Sequence, residues 1–153
     1  MSEAVLVPVE NIRDAEVSAL AEEASQFLLS HAWCKAVRSA HLAWAAAGVL
    51  GVFRFEIEPA HSGVDKSLWV VVGDVPSAYL TCEGNPTWRE ALEGYIHEMK
   101  RWVAAVRSGA PLDDVISAGV TPSAEHADML YSRLNFISRE ILSADTDGVM
   151  SDT

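Results

Sequence analysis

Leu68-Trp69-Val70-Val71-Val72-Gly73-Asp74-Val75-Pro76-Ser77-Ala78-Tyr79-Leu80 is the stretch that decides how this chain must fold. The apolar run ending in Val70-Val71-Val72 suits a strand covered on both faces. Gly73 and Pro76 break its ladder and leave Asp74 at the end, after which Ala78-Tyr79-Leu80-Thr81 resumes as a second, shorter strand. A polar turn beside a buried strand is a place for a site, so Asp74 heads the candidate residues.

Working outward, Phe53, Phe55 and Ile57 alternate with Arg54, Glu56 and Glu58, the period of a strand with one wet face. Residues 59–66, rich in turn formers, connect it to Leu68 as a hairpin. The predicted sheet is therefore small and antiparallel, with about three strands.

Helical spacing frames it. Ile12, Val17, Leu20, Ala24, Phe27 and Leu28 predict a first helix from Asn11, a candidate N-cap, to about His31, with Glu16, Glu22 and Glu23 on its outer face. Trp33, Val37, Ala40 and Trp44 recur every three or four residues and predict a second helix over about 32–47, stopped by Gly48. Trp88, Leu92, Tyr95, Met99, Trp102 and Val106 predict a third, opened by Asn85-Pro86 or by a Thr87/Glu90 capping box. A fourth starts at Thr121-Pro122 and buries Ala127, Leu130, Leu134, Ile137 and Ile141. The expected architecture is one α+β domain over 1–143, with about four helices packed on a three-stranded antiparallel sheet, and a polar tail over 144–153 expected to be disordered.

Composition narrows function by exclusion. The chain has 153 residues, 22 acidic against 11 basic, and a net charge of −11. Such a field repels phosphate backbones and anionic membranes, so neither nucleic acid nor membrane is an expected partner; the expected partner is another protein, a basic one by charge complementarity. No apolar run reaches the roughly 18–20 residues of a membrane span, and the first residues lack a basic leader, which places the protein in the cytoplasm. Cys34 and Cys82 read as free thiols.

The remaining candidates each have a plain structural reading beside the functional one. Asp74 can face a cleft or accept bonds from its own turn. Tyr79 shares that rim or belongs to the core. Trp69 either fills the core or roofs a pocket. Glu56 and Glu58 share one strand face with Arg54 and form either a carboxylate pair or a solvated surface. His31 and Cys34 are three apart near a helix junction, but His41, His61, His97 and Cys82 are scattered singly without the second close pair of a zinc site, so no metal is expected, and Cys34, next to Trp33 on a predicted helix, reads as an inert thiol. The chain lacks the Gly-x-Ser-x-Gly, His-Glu-x-x-His and glycine-rich phosphate motifs, and no cofactor is expected.

The order Trp33-Cys34, Trp69, Gly73-Asp74, Pro76 and Tyr79, followed by Asn85-Pro86 before a helix, resembles an uncharacterised bacterial protein family over the central third of the chain. Ser77-Ala78 stands where that pattern is more polar. The resemblance implies a bacterial single-domain protein and carries no activity. Two functions are expected from the residues: a non-catalytic acidic interaction protein, of the immunity or accessory kind, or a small-molecule-binding protein or enzyme with a pocket near Asp74, Trp69, Tyr79 and Glu56. The absence of a catalytic constellation leans toward the first. A homo-oligomer through a sheet edge or spare helix face stays open.

Overall fold

The segment expected to be the second helix is a strand. In the computed structural model, which describes residues 6–46, 49–113, 115 and 122–142, Cys34–Ala46 is the longest strand of a five-stranded antiparallel sheet. The order along the chain is β1 (Val7–Pro8), α1 (Ala15–Leu29), β2 (Cys34–Ala46), β3 (Leu50–Pro59), β4 (Ser67–Gly73), β5 (Ala78–Thr81), α2 (Trp88–Ser108) and α3 (Ala124–Ile137). Five strands and three helices among the described residues thus replace the expected three and four. Gly48, the expected stop, and the 144–153 tail lie outside the described residues.

The physical reason is a series of single-residue bulges. Pairing of β2 with β3 shifts between Cys34 and Ala36, between Val37 and Ser39, and between Leu42 and Trp44, leaving Lys35, Arg38 and Ala43 as the extra residues. Each bulge turns a two-residue step into a three-residue one. Side chains on one face of β2 are therefore Cys34, Val37, Ala40, Leu42 and Ala45, whose first steps mimic a helical stripe. Alanine-rich composition reinforces the resemblance, and pairing with β3 overrides it.

The five strands pair in chain order, β1-β2-β3-β4-β5, so β1 and β5 are the edges. Pairing of Phe53 with Val70 and of Phe55 with Leu68 puts one continuous apolar face under α1. That helix presents Val17, Ala21, Ala24 and Leu28, all buried, and its packing with Cys34, Ala40, Phe53, Phe55, Ile57, Leu68, Val70 and Val72 makes the core of residues 3–92. Asp14, not Asn11, caps α1: its Oδ1 accepts from the backbone N–H of Glu16 at 2.9 Å and Val17 at 3.0 Å. Asn11 instead closes a short 3-10 turn, Val9–Asn11.

On the opposite face, Leu50, Val52, Trp69 and Val71 are also buried. Trp44 belongs to this side and stacks on Trp88, with ring centroids 5.4 Å apart and planes 12° apart. Thr87 caps the start of α2: the Glu90 N–H donates to Thr87 Oγ1 at 3.2 Å, and the Thr87 hydroxyl donates to Glu90 Oε1 at 3.1 Å, a side-chain contact in place of the backbone half of a capping box.

The described residues from Glu93 onward belong to a second compact unit. Its described part holds the remaining turns of α2, then α3 and a π-helical turn, Ser138–Leu142. Ser123 caps α3 by accepting from the His126 N–H; Thr121, the expected start, is outside the described residues. Arg107 ties the two helices together through Asp128 at 2.7 Å, and its guanidinium lies 4.7 Å from the Tyr131 ring centroid.

Candidate functional site

The phase of the sheet sorts the candidate residues. Val70 pairs with Tyr79 and Trp69 with Leu80, so Tyr79 projects from the α1 side and Trp69 from the other. Strand alternation separates them. Trp69, Tyr79 and Glu56 therefore do not converge on one pocket.

Trp69 is 2 % exposed, and its indole N–H donates to the Asn85 carbonyl at 2.6 Å. The Arg54 guanidinium lies 5.7 Å from its ring centroid. This is a packed core tryptophan with its polar atom satisfied. Asn85, expected at the helix start, spends its side chain on the Thr81 carbonyl at 3.0 Å. Glu56 sits two residues from Arg54 on the same face, 3.7 Å from its Nε, and accepts from the Ser67 hydroxyl at 2.8 Å. Glu58 meets Lys35 at 3.6 Å and Arg38 at 3.3 Å, the two bulged cations of β2. The two glutamates thus have separate cationic partners, which is not the arrangement of a shared-proton carboxylate pair. Asp74 lies exposed in the turn after β4, where its backbone N–H donates to the Val49 carbonyl at 2.7 Å.

Both cysteines are free thiols. Burial pushes the Cys34 thiol above its ordinary pKa. Burial does the same at Cys82, opposed by the Arg54 charge and reinforced by Glu56 and Asp65. Neither is the depressed, thiolate-forming environment of a nucleophile. Among the described residues no group of three or more His, Cys, Asp or Glu side chains is placed to hold a metal ion, and no helix is long and apolar enough to cross a membrane.

Tyr79 does gather with other residues. Its ring lies 4.8 Å from that of Trp33 and 5.4 Å from that of His31, both edge-on. His31 is 4.7 Å from Trp33 and 4.9 Å from Phe27. The turn from α1 into β2 positions these rings: the Cys34 N–H donates to the His31 carbonyl at 3.1 Å, and the Trp33 carbonyl accepts from the Ala60 N–H at 2.9 Å. His31 Nδ1 stands 2.8 Å from the Phe27 carbonyl, which can only accept, so Nδ1 carries the proton. The four rings remain partly open to solvent, with Phe27, His31 and Trp33 partly buried and Tyr79 38 % exposed.

The same helix carries unbalanced charge. Glu10, Asp14, Glu16, Glu22 and Glu23 are exposed along or just before α1, against Arg13 alone. None of the five takes part in an ion pair among the described residues, whereas Glu56, Glu58, Glu98, Asp128 and Glu140 all do. An acidic face therefore leads along α1 to a half-exposed aromatic cluster at its end. Sequence reading places Phe27 and Trp33 on two helical stripes and leaves His31 at the helix end among scattered histidines; the signal for the cluster was the i, i+4 pair Phe27 and His31 with Trp33 two residues on, at a helix terminus. No known protein family, curated protein or solved structure matches this chain.

Proposed function

We propose that this chain is a non-catalytic acidic protein that binds and masks a basic surface on another protein, in the manner of an immunity or accessory factor. The observation that supports it is the adjacency on one unit of an uncompensated acidic helix face and a half-exposed Phe27/His31/Trp33/Tyr79 cluster. Tyrosine and tryptophan held rigid at a surface cost little entropy on binding and are favoured as interface anchors. The surrounding carboxylates steer a cationic partner and raise the encounter rate. A reducing cytoplasm suits two unpaired thiols, and we place the protein there.

Capture from native cells at graded salt tests the reading, with the wild-type protein beside two variants: Glu16→Gln/Glu22→Gln/Glu23→Gln and Trp33→Ala/Tyr79→Ala. The expected result is a basic protein retained by the wild type at low ionic strength, released as salt rises, and weakened in both variants. Retention of the same proteins by all three forms, or of none by the wild type, overturns it.

A further inference from the structure

We infer that the partner docks by strand addition: an extended basic segment lies along β5 as a sixth strand. This rests on the function proposed above and names its mode of binding. The hydrogen-bond phase of the sheet carries it. The Ile57 N–H donates to the Lys66 carbonyl at 2.8 Å, which makes Ile57 and Lys66 a hydrogen-bonded pair. Alternation then turns Leu68, Val70 and Val72 toward β3, and Trp69 and Val71 toward β5. Ala78 and Leu80, opposite Val71 and Trp69, point their backbone groups inward. Tyr79 and Thr81 point theirs out. The Thr81 carbonyl is engaged by Asn85, so the Tyr79 N–H, the Tyr79 carbonyl and the Thr81 N–H form the template for an incoming strand.

The long strand near the opposite edge, β2, is defended. Along β2, β1 covers Leu42 and His41, and much of the rest is bulged, with Lys35 and Arg38 at two of the bulges. Bulges and cations are the usual means of blocking edge pairing. β5 has neither: its register with β4 is regular, and Ala78-Tyr79-Leu80-Thr81 contains no charge and no proline.

Charge selects the occupant. No Lys or Arg occurs between Lys66 and Arg89, and Glu83, which follows β5, is exposed. The charges of Glu56 and Asp65 also reach Cys82 at the strand's end, beside that of Arg54. A second copy of this acidic chain is disfavoured by like charge; a segment alternating apolar residues with Lys or Arg fits, its apolar side chains meeting Tyr79 and its neighbours.

The test uses the full chain and three nine-residue probes: alternating Val and Lys, the same peptide with N-methyl groups on alternate amides, and a Val/Glu version. Binding is followed by fluorescence and amide exchange. The Val/Lys peptide is expected to slow exchange at Tyr79 and Thr81 about tenfold or more, N-methylation to weaken binding about tenfold, and the Val/Glu peptide not to bind. Thr81→Pro, which removes an outward N–H and no ladder bond, is expected to keep the fold and lose the peptide; N-methylation on the peptide serves where that variant fails to fold. Binding indifferent to methylation, or protection on α1 alone, overturns strand addition while leaving the acidic-face reading standing. No binding of either cationic peptide at low salt also overturns strand addition, and native capture then decides the broader reading separately. A concentration-dependent dimer that protects Tyr79 and Thr81 without peptide makes the occupant a second copy and overturns the proposal.

Discussion

Gly73→Ala is expected to be the most damaging of the glycine substitutions at positive φ. Gly73 has φ +138°, and a Cβ there would come within 2.4 Å of the Val49 carbonyl oxygen and 2.5 Å of Leu50 Cα. Both contacts are backbone, held by the Asp74 N–H bond to the same Val49 oxygen, so neither can swing away. Strain at such a φ costs about 1–3 kcal/mol. Overpacking against atoms that must shift adds about 1–3 kcal/mol. Together these predict a loss of about 2–6 kcal/mol, a large share of a typical total of about 5–15 kcal/mol. Gly63 is the internal control, since its φ is +95° but a Cβ there meets nothing within 4 Å. Gly63→Ala should cost only the conformational part, about 1–2 kcal/mol. In urea, with a slope of about 2 kcal/mol per molar, the midpoint should fall by about 2 M for Gly73→Ala and by under about 1 M for Gly63→Ala. Equal midpoints for the two variants would refute the close approach of the β4–β5 turn to Val49 as the reason for glycine.

Asp14→Ala should lower stability by about 1 kcal/mol, because two α1 backbone N–H groups lose their acceptor; amide exchange at Glu16 and Val17 should quicken, and unchanged exchange there would count against the cap. Trp69→Phe keeps most of the buried ring but leaves the Asn85 carbonyl without its 2.6 Å donor, so a loss of about 1–3 kcal/mol is expected, measured by thermal unfolding against Trp69→Tyr. Stability should decline in alkali. Burial raises Cys34, Cys82 and Tyr95, so the folded chain holds protons that the unfolded chain releases first. Their contribution is whole below the unfolded values, about 8.5 for cysteine and about 10 for tyrosine, and is lost as pH rises past them. Urea midpoints from pH 7 to 10.5 should show the fall, and Cys34→Ala should remove part of its first stage.

How much of this was legible in the sequence depended on period. The Leu68–Val72 strand, the alternation from Phe53 to Ile57, the short strand at Ala78–Thr81 and the long helix from Trp88 all keep one regular spacing, and each is present. β2 does not keep one. Its bulges at Lys35, Arg38 and Ala43 are defined only by pairing with β3, and a local reading has no access to a partner strand. β1 is two residues long and exists only as the pairing of Val7 and Pro8 with β2. The candidate site was less legible for a related reason. Asp74, Trp69, Tyr79 and Glu56 are near in sequence, but nearness along a sheet says nothing until the face is known.

That dependence on phase also explains why the proposed interface forms where it does. Tyr79 can join Phe27, His31 and Trp33 only because it pairs with Val70 on the α1 side of the sheet. The same parity turns the Tyr79 backbone outward, since its neighbours Ala78 and Leu80 spend theirs on β4. Aromatic anchor and open backbone edge are thus one consequence of a single register, and a one-residue slip would lose both together. Moving the register would bring Leu80 under α1 and send Tyr79 among Leu50, Val52 and Val71, where its hydroxyl would have to find a partner in an apolar layer. The buried alternation of Trp69 and Val71 against Leu68 and Val70 resists that slip on both faces at once. The proposed interaction surface therefore inherits its geometry from the most strongly specified part of the core, the Leu68–Leu80 stretch.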